Sequence, residues 1–210
     1  MSLEKTAEQI KNMEIRGAGK IAREAAAALR DHAESLPEAG LSAFVSEMNR
    51  AAEVLLATRP TAVSLPNAVN ITLAGLSAAE TESEARALVK SQADRFVAAS
   101  TKAVERIAEI CASRISDGMT IMTHCNSKAA LAGILLAKQQ GKNISVIATE
   151  VRPWNQGLLT IKTLNDHEIP TTYIVDSAVR TFMKEADLVI VGADAVTVKG
   201  AVVNKIGTSQ

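Results

Sequence analysis

The second half of the sequence alternates short apolar runs with helical stretches, and this alternation limits the possible fold more than any other feature. Runs rich in apolar and β-branched residues occupy 119–122, 144–148, 172–175 and 188–191. Helical patterns separate them at 128–140, 158–167 and 177–184. Short strands that alternate with helices indicate βαβ units, whose right-handed crossovers build a parallel sheet. We therefore predict a Rossmann-like parallel-sheet α/β domain over 117–210.

The first half of the sequence is typical of helices. Between residues 88 and 115, apolar side chains recur at the spacing of one face of an amphipathic helix. Cys111 lies on this apolar face and is interpreted as a core residue. Shorter helices are expected over 20–34 and 42–57, each of which ends before a proline. Because the pattern changes at Asp117-Gly118, we predict an N-terminal helical domain over 1–116.

The composition limits both the core and the partners. Hydrophobic residues make up 47% of the chain but aromatic residues only 2%, so the core must consist of Ala, Val, Ile and Leu. The 23 basic and 23 acidic residues balance, which leaves no overall field to attract nucleic acid or an acidic membrane surface. The two cysteines suggest no disulfide framework, so a reducing cytoplasm is expected. Neither a signal-like N-terminus nor a membrane-length apolar stretch is evident, and a soluble intracellular protein is predicted.

Cys125 follows the first predicted strand and precedes the helix expected from Lys128. It is therefore expected at the carboxyl edge of the sheet, where open α/β proteins bind ligands. A helix N-terminus favours a thiolate. Asn126 or Ser127 could cap that helix, and the free N–H groups of its first turn could hold a phosphate. The alternative is a buried, unreactive cysteine at a strand end.

Two further polar residues follow later strands and are expected at the same edge. Arg152 follows the second strand, and its planar guanidinium suits bidentate phosphate binding. Asp194 follows the fourth strand, although a carboxylate there could also cap a turn. Trp154 could shield the site or simply pack against the protein. A thiol, a carboxylate and arginines on one rim suit proton transfer on a phosphorylated small molecule.

The helical half holds two more candidate phosphate-binding segments. Residues 15–20 join a glycine-containing turn to a helix start and offer Arg16 with backbone N–H groups, although an ordinary helix N-terminus is the alternative. Residues 58–67 are expected to form an extended loop in which two prolines fix Arg59, unless they are only a rigid connector. Residues 202–208 resemble a strand or turn entering a helix that does not follow, so a truncated form of a longer protein is expected.

Several other kinds of site are disfavoured. The histidines are scattered and neither cysteine has a partner at ligand spacing, so no metal site is predicted. No Gly-x-Gly-x-x-Gly motif follows the first strand and no nucleophile-elbow pattern surrounds a serine. Neither a dinucleotide nor a Ser-His-Asp hydrolase is therefore indicated, and no cofactor is expected. His124 precedes Cys125 in an extended segment and should point to the opposite side, which disfavours a Cys-His pair.

Five ordered motifs carry a resemblance to a known family. They are Arg16-Gly17-Ala18-Gly19, Thr123-His124-Cys125-Asn126-Ser127, Arg152-Pro153 with Gln156-Gly157, Gly192-Ala193-Asp194 and Asn204-Lys205-Ile206-Gly207-Thr208. Together they resemble the family of translation initiation factor 2B α, β and δ subunits and sugar-phosphate isomerases, and the match covers essentially the whole chain. Residues 15–23 and 59–67 most closely resemble the archaeal branch that isomerises ribose 1,5-bisphosphate. The methylthioribose-1-phosphate isomerase branch usually has proline and arginine where this sequence has Gly19 and Ala195.

The resemblance implies conversion of ribose 1,5-bisphosphate to ribulose 1,5-bisphosphate in archaeal AMP and nucleoside salvage, a route that feeds ribulose-bisphosphate carboxylase. The family's catalytic cysteine and aspartate correspond to Cys125 and Asp194, a pair that the regulatory initiation-factor subunits generally lack. The predicted substrate-binding residues are Arg16, Gly17, Ala18, Gly19, Arg59, Ser127, Arg152, Asn204 and Lys205.

This chemistry makes opposite demands on the two catalytic residues. Phosphate on C1 blocks simple opening of the sugar to an aldehyde, so an acid must protonate the ring oxygen while a base removes the C2 proton. Asp194 would have to be protonated, which a dry pocket favours, and Cys125 would have to be a thiolate. A hydride shift between C1 and C2 is the alternative to proton transfer.

Two other functions and an assembly state follow from the same resemblance. The chain could be a non-catalytic regulatory subunit that binds nucleotide or sugar phosphate on an initiation-factor assembly, or a methylthioribose-1-phosphate isomerase. A homo-oligomer, from a dimer to a hexamer, is expected because the family assembles through its α/β half. An open sheet and an alanine-rich helical half would also leave apolar surface that a monomer could not cover.

Overall fold

A computed structural model describes residues 2–60 and 62–210, and its backbone divides into two compact units. One unit extends to Thr101 and the other comprises Lys102–Gln210. The sequence predicts the boundary near residue 117, whereas the units divide within the long fifth helix. Ala112 and Ile115 explain the difference, because they are buried in the core of the second unit. The last turns of that helix therefore pack with the sheet.

The first unit consists of helices. They are α1 (Leu3–Lys11), α2 (Ala18–Ser35), α3 (Leu41–Leu56), α4 (Ser64–Thr72), a 3₁₀ turn (Leu76–Ala78) and α5 (Glu82–Arg114), which continues into the second unit. Their core is aliphatic, as the composition predicts, with Leu29, Met48 and Leu55 fully buried. Ala25 and Ala26 of α2 are also fully buried, and their small side chains suit close packing between helices.

Helix α4 corrects the prediction of an extended loop over 58–67. The chain is helical from Ser64, and Pro66 lies in the first turn of the helix, where a missing N–H costs nothing. The turn around Arg59 is retained, with the Ala62 amide donating to the Arg59 carbonyl at 3.1 Å. Thr61, which belongs to the same motif, lies outside the described residues.

The second unit is the predicted α/β domain. Its strands are β1 (Thr120–Thr123), β2 (Ser145–Thr149), β3 (Thr171–Ile174), β4 (Leu188–Val189), β5 (Ala195–Val196) and β6 (Val202–Val203). Its helices are α6 (Lys128–Gln139), α7 (Gly157–Asn165) and the single turn α8 (Val179–Phe182). The 3₁₀ turns Asp176–Ala178 and Met183–Glu185 flank α8, so the helix predicted over 177–184 is broken into three short pieces.

The main sheet is parallel throughout and has the strand order β3-β2-β1-β4. Strands β5 and β6 form a separate antiparallel pair. One face of the sheet buries Ile121 and Val146 in a cluster with Ile134, and the other face buries Met122 and Ile147. Both faces of β1 and β2 are covered, which suits their continuous apolar runs, whereas Tyr173 of β3 and Val189 of β4 are exposed.

Within the described residues, no helix is long and apolar enough to cross a membrane.

Candidate active site

The strand order places a crevice between β1 and β4. The connections from β1 lead through β2 to β3 on one side, and the chain then returns to β4 on the other side of β1. In open α/β sheets, ligands bind where the strand order reverses, outside the carboxyl ends of the strands. Cys125 follows the end of β1 and Asp194 follows the end of β4. The structure therefore places both predicted catalytic residues at the carboxyl edge of the two strands that flank this crevice.

The backbone around Cys125 is held by α7. Cys125 has a φ of 72°, a left-handed conformation that is uncommon for a residue other than glycine. Its carbonyl oxygen accepts a hydrogen bond from Thr160 Oγ1 at 2.9 Å, and that hydroxyl accepts one from Asn126 Nδ2 at 3.0 Å. Thr160 is fully buried, so this pair of bonds is shielded from water. The thiol is thus carried on a fixed turn.

The Cys125 side chain faces Gln156, the residue before α7. The thiol donates a hydrogen bond to Gln156 Oε1 at 3.0 Å. The Cys125 side chain is half-buried, and this burial raises the pKa of its thiol. The Asn126 N–H and the Lys205 ammonium act in the opposite direction, whereas the Asp194 carboxylate raises the pKa further. The predicted thiolate is therefore not favoured in this unit alone, because burial outweighs the nearby cation and the N–H group.

Asp194 lies at the start of the β5–β6 hairpin. Its backbone N–H donates to the Val203 carbonyl at 2.8 Å, which ties the residue to the end of β6. The side chain is exposed, so the structure does not show the dry pocket that the sequence-based mechanism requires. Asp194 is exposed because the hairpin that it begins lies at the surface of the unit. The hairpin residues Val196, Val202 and Val203 are exposed as well.

Ser127 has a structural role at the start of α6. Its side chain accepts a hydrogen bond from the Ala130 N–H at 3.3 Å, which makes it the N-cap predicted for this helix. Gly192, which follows β4, packs directly against it: a Cβ at Gly192 would lie 2.5 Å from Ser127 Oγ. This close approach fixes the loop after β1 against the loop after β4, and only a residue without a side chain allows it.

Arg152 lies on an exposed loop after β2. Asp176, just beyond β3, accepts hydrogen bonds from the Val151 and Arg152 N–H groups at 2.9 and 2.8 Å, one through each carboxylate oxygen. The backbone at Arg152 is thus fixed while its side chain is exposed. Trp154 is 70% exposed and does not shield the site within this unit.

Asn204 and Lys205 lie on the turn after β6. Asn204 Nδ2 donates to Thr208 Oγ1 at 3.1 Å, and that hydroxyl donates to the Lys205 carbonyl at 2.6 Å. Lys205 is half-buried, and its charge acts on the Cys125 thiol. The charges of Asp194 and Lys205 therefore both act on the pKa of the Cys125 thiol, in opposite directions.

The remaining predicted residues belong to the helical unit. Gly17 has a φ of 85° and precedes α2, whose first two residues are Ala18 and Gly19. Arg16 is exposed and its Nε donates to the Met13 carbonyl, whereas Arg59 is half-buried. The turn and helix start predicted for this segment are present. Its proximity to Cys125 stays a prediction.

Sequence reasoning left Gln156, Thr160 and Asp176 out of the site, although a signal existed for two of them. Gln156 lies in one of the five motifs, and Asp176 follows β3 as Asp194 follows β4, so the rule used for Asp194 also applies to it. Thr160 had no such signal, because its role depends on where α7 packs. Among residues 2–60 and 62–210, no three His, Cys, Asp or Glu side chains are grouped so that they could hold a metal ion.

The fold and the crevice define a class of protein: a parallel α/β sheet with a thiol and a carboxylate at its carboxyl edge, preceded by a helical unit. The chain belongs to the Initiation factor 2 subunit family, whose model matches residues 14–210.

Comparison with individual proteins places the chain within this family. It is 52% identical to the ribose 1,5-bisphosphate isomerase of Methanocaldococcus jannaschii over 208 residues, which cover 99% of this chain and 66% of that protein. The isomerase of the same name from Thermococcus kodakarensis is also 52% identical, over 97% of this chain and 64% of its own length. The solved structure of the translation initiation factor eIF-2B of Pyrococcus horikoshii superposes with a TM-score of 0.85 at 32% identity, over 98% of this chain and 71% of that one. The chain thus spans about two thirds of the length of these relatives.

Proposed function

We propose that this chain belongs to an enzyme that converts ribose 1,5-bisphosphate to ribulose 1,5-bisphosphate. The observation that carries the proposal is the 52% identity to a ribose 1,5-bisphosphate isomerase over 99% of this chain, together with the position of Cys125 and Asp194 at the crevice. The placement of both residues beyond neighbouring parallel strands supports a shared reaction centre. We assign the reaction to the archaeal route of nucleoside salvage in which the relatives' substrate is formed.

Four proton transfers through two residues complete the reaction. Asp194 gives a proton to the ring oxygen as the bond from that oxygen to C1 breaks, and Cys125 takes the proton from C2. The resulting enediol-like intermediate still carries the phosphate on C1. The Cys125 thiol then gives a proton to C1, and the Asp194 carboxylate takes the C2 hydroxyl proton as the ketone forms. Exclusion of water would protect this intermediate.

The phosphate groups require local cations, because the basic and acidic residues of the chain balance. We assign the binding of the phosphate groups to Arg16 with the Gly17–Gly19 turn, Arg59, Arg152 and Lys205. Replacing Arg16 or Arg152 by alanine should weaken binding by about 1.5–3 kcal/mol, because a charge-assisted hydrogen bond is lost. An unaltered Michaelis constant in either variant would remove that residue from the binding site.

The raised pKa of the Cys125 thiol adds one requirement to this mechanism. Burial raises the pKa of Cys125, while the Lys205 charge lowers it. The base must therefore become deprotonated before it can act, and the nearby Lys205 cation favours the thiolate.

Turnover of purified full-length protein tests the catalytic roles. Cys125→Ser and Asp194→Asn should each reduce kcat by about a hundredfold or more while substrate still binds, since general acid–base catalysis contributes at least that much. Cys111→Ser and Asp166→Asn are the matched controls, because Cys111 packs on the apolar face of α5 and Asp166 pairs with Lys162 at the surface. Full activity in either site variant would refute its role.

The same assay separates the proposal from its rivals. A regulatory subunit would show no turnover of ribose 1,5-bisphosphate and would bind a translation-factor partner. A methylthioribose-1-phosphate isomerase would turn over that substrate instead. Gly19 and Ala195, which differ from the pattern of that branch, favour the bisphosphate. Running the reaction in deuterated water distinguishes the two chemical routes, because proton transfer places solvent deuterium on C1 and a hydride shift does not.

We also propose that the enzyme is a cytoplasmic homo-oligomer, between a dimer and a hexamer. The exposed apolar side chains of the β5–β6 hairpin and the turn after it support this, with Val198 fully exposed and Ile206 80% exposed. Light scattering of full-length protein at micromolar concentration that gives a monomer mass would contradict it.

A further inference from the structure

His124 is a buried, titratable residue beside Cys125 that the proposed mechanism does not use. It follows β1 directly and is 6% exposed. Its side chain contacts two groups that belong to different parts of the unit. A buried histidine must satisfy both ring nitrogens, so the partners of those nitrogens define what the residue can do.

The two ring nitrogens of His124 join β2 to the turn after β6. Nε2 lies 2.8 Å from the Ile206 carbonyl oxygen, and Nδ1 lies 2.7 Å from Thr149 Oγ1. A carbonyl oxygen only accepts hydrogen bonds, so Nε2 must carry the proton and donate it. In the neutral ring, Nδ1 is then the acceptor and the Thr149 hydroxyl donates to it. The Ile206 carbonyl therefore sets the tautomer, and the Thr149 hydroxyl satisfies the other ring nitrogen.

Gly207 gives independent support for this contact. It has a φ of 93°, and a Cβ there would lie 2.9 Å from His124 Cε1 and 3.1 Å from Nε2. Both the conformation and the close approach require a glycine. The backbone of the turn therefore packs against the imidazole ring and is also hydrogen-bonded to it.

The turn that His124 holds carries Lys205. The other hydrogen bonds recorded within 204–210 are internal to that segment, such as the Thr208 N–H to the Lys205 carbonyl at 3.1 Å. They fix the shape of the turn but not its position relative to β1. The two groups that contact His124, the Ile206 carbonyl and Gly207, directly follow Lys205 in the chain. Lys205 is the residue whose charge acts on the Cys125 thiol.

We propose that His124 is a positioning residue that fixes Lys205 beside Cys125 by anchoring the turn Asn204–Thr208 to the end of β1. The hydrogen bond from Nε2 to the Ile206 carbonyl supplies the attachment, and the hydrogen bond between Nδ1 and Thr149 orients the ring. The inference deepens the proposed function, since it concerns the same site, but its test needs neither substrate nor turnover.

The test measures the thiol pKa of Cys125 from the pH dependence of alkylation by iodoacetamide. A Cys111→Ser background leaves Cys125 as the only thiol, because the chain has two cysteines. Lys205→Gln removes the charge and should raise the alkylation midpoint by about half a pH unit or more. His124→Leu should raise it comparably, because the turn is released. His124→Gln should restore most of the original midpoint, since the amide can still donate to the Ile206 carbonyl.

A double variant distinguishes positioning from a general effect on the fold. If His124 acts through Lys205, adding His124→Leu to Lys205→Gln should shift the midpoint no further. A full additional shift would overturn the proposal, as would a His124→Leu or Lys205→Gln variant with an unchanged midpoint. If the unmodified protein has no isomerase activity, the proposed function is refuted, but the comparison of alkylation midpoints still tests the role of His124.

A second pair of variants covers the case in which His124→Leu does not fold. Thr149→Val removes only the hydroxyl that fixes the ring and should raise the midpoint in the same direction by a smaller amount. Thr120→Val is the matched control, because it also loses a hydroxyl contact, to Ser145 Oγ at 3.0 Å, at the opposite end of β1. Equal midpoints for the two variants would contradict the anchoring role.

Discussion

Gly157 offers a sharp test of how the site is held, because α7 begins there in contact with the end of β2. A Cβ at Gly157 would lie 2.0 Å from the Thr149 carbonyl oxygen, 2.9 Å from the carbonyl carbon and 3.0 Å from Glu150 Cα. All three atoms belong to the backbone, so no side-chain rotation can relieve the clash. Gly157→Ala should therefore displace the start of α7 together with Gln156, which accepts the Cys125 hydrogen bond.

The magnitude follows from two opposing contributions. Ordinary contact begins at 3.4 Å, so a Cβ placed 2.0 Å from an oxygen must move away by about 1.4 Å. Overpacking of this kind costs about 3 kcal/mol, the upper end of its usual range. Alanine regains up to ~1 kcal/mol through helix propensity and the restricted unfolded chain. The net loss of about 2 kcal/mol corresponds to a decrease in Tm of roughly 4–8 °C for a chain of this length.

Thermal unfolding followed by circular dichroism measures this effect, and Gly19→Ala is the control. Gly19 also lies in the first turn of a helix, but its added Cβ would meet only the flexible end of Arg23, at 3.3 Å from Nη1. Gly19→Ala should leave the Tm unchanged or raise it. A Gly157→Ala variant that melts at or above the parent temperature would contradict the close packing of α7 against β2.

The remaining predictions concern the thiols and the cap of α6. Gln156→Glu should raise the pKa of Cys125, because a carboxylate replaces a neutral acceptor next to the thiol, and iodoacetamide should then react more slowly near pH 8. Ser127→Ala should cost about 1 kcal/mol of stability in denaturant titrations, since the N-cap bond to Ala130 is lost. Burial raises the pKa of both Cys111 and Cys125. Their contribution to stability is therefore complete below the ordinary thiol pKa and is lost as pH rises through the folded values, so replacing both by serine should flatten the loss of stability at alkaline pH.

The architecture was predictable because the relevant signals are local. Strands β1, β2 and β3 each lie within one residue of the apolar runs over 119–122, 144–148 and 172–175. The fourth run predicts a strand over 188–191, whereas β4 ends at Val189. The Ile190 N–H still donates a hydrogen bond to the Met122 carbonyl of β1, and the chain then turns toward Gly192, which packs against Ser127. Sequence pattern alone does not contain that contact.

The two unpredicted helices lack the signals that identified the others. Helix α1 is short and mostly polar, although Ser2 caps it and Ile10 is fully buried. Helix α4 contains Pro66, and the two prolines of this segment predict an extended loop. Its position in the first helical turn is compatible with proline, so the choice between loop and helix depended on packing of Leu65 in the core.

The residue types at the site followed from strand ends, but their environments did not. Cys125 and Asp194 were found because parallel strands bring their carboxyl ends to one edge. The balance between thiol and thiolate depends instead on burial and on Gln156, Asn126 and Lys205, which come from three different segments. The exposure of Asp194 likewise depends on what covers the hairpin after β4, and spacing along the chain carries no information about that.

The central position of β1 explains why so many contacts converge on the segment after it. Its neighbours are β2 and β4, so the loops after all three strands meet at one edge. Each residue from 124 to 127 has a partner on an adjoining segment, such as Thr149 for His124, Gln156 for Cys125 and Gly192 for Ser127. Because these contacts fix the segment that carries Cys125, the neighbouring segments determine the environment of its thiol. Its reactivity should therefore report changes in any of these neighbouring segments before the fold itself is lost.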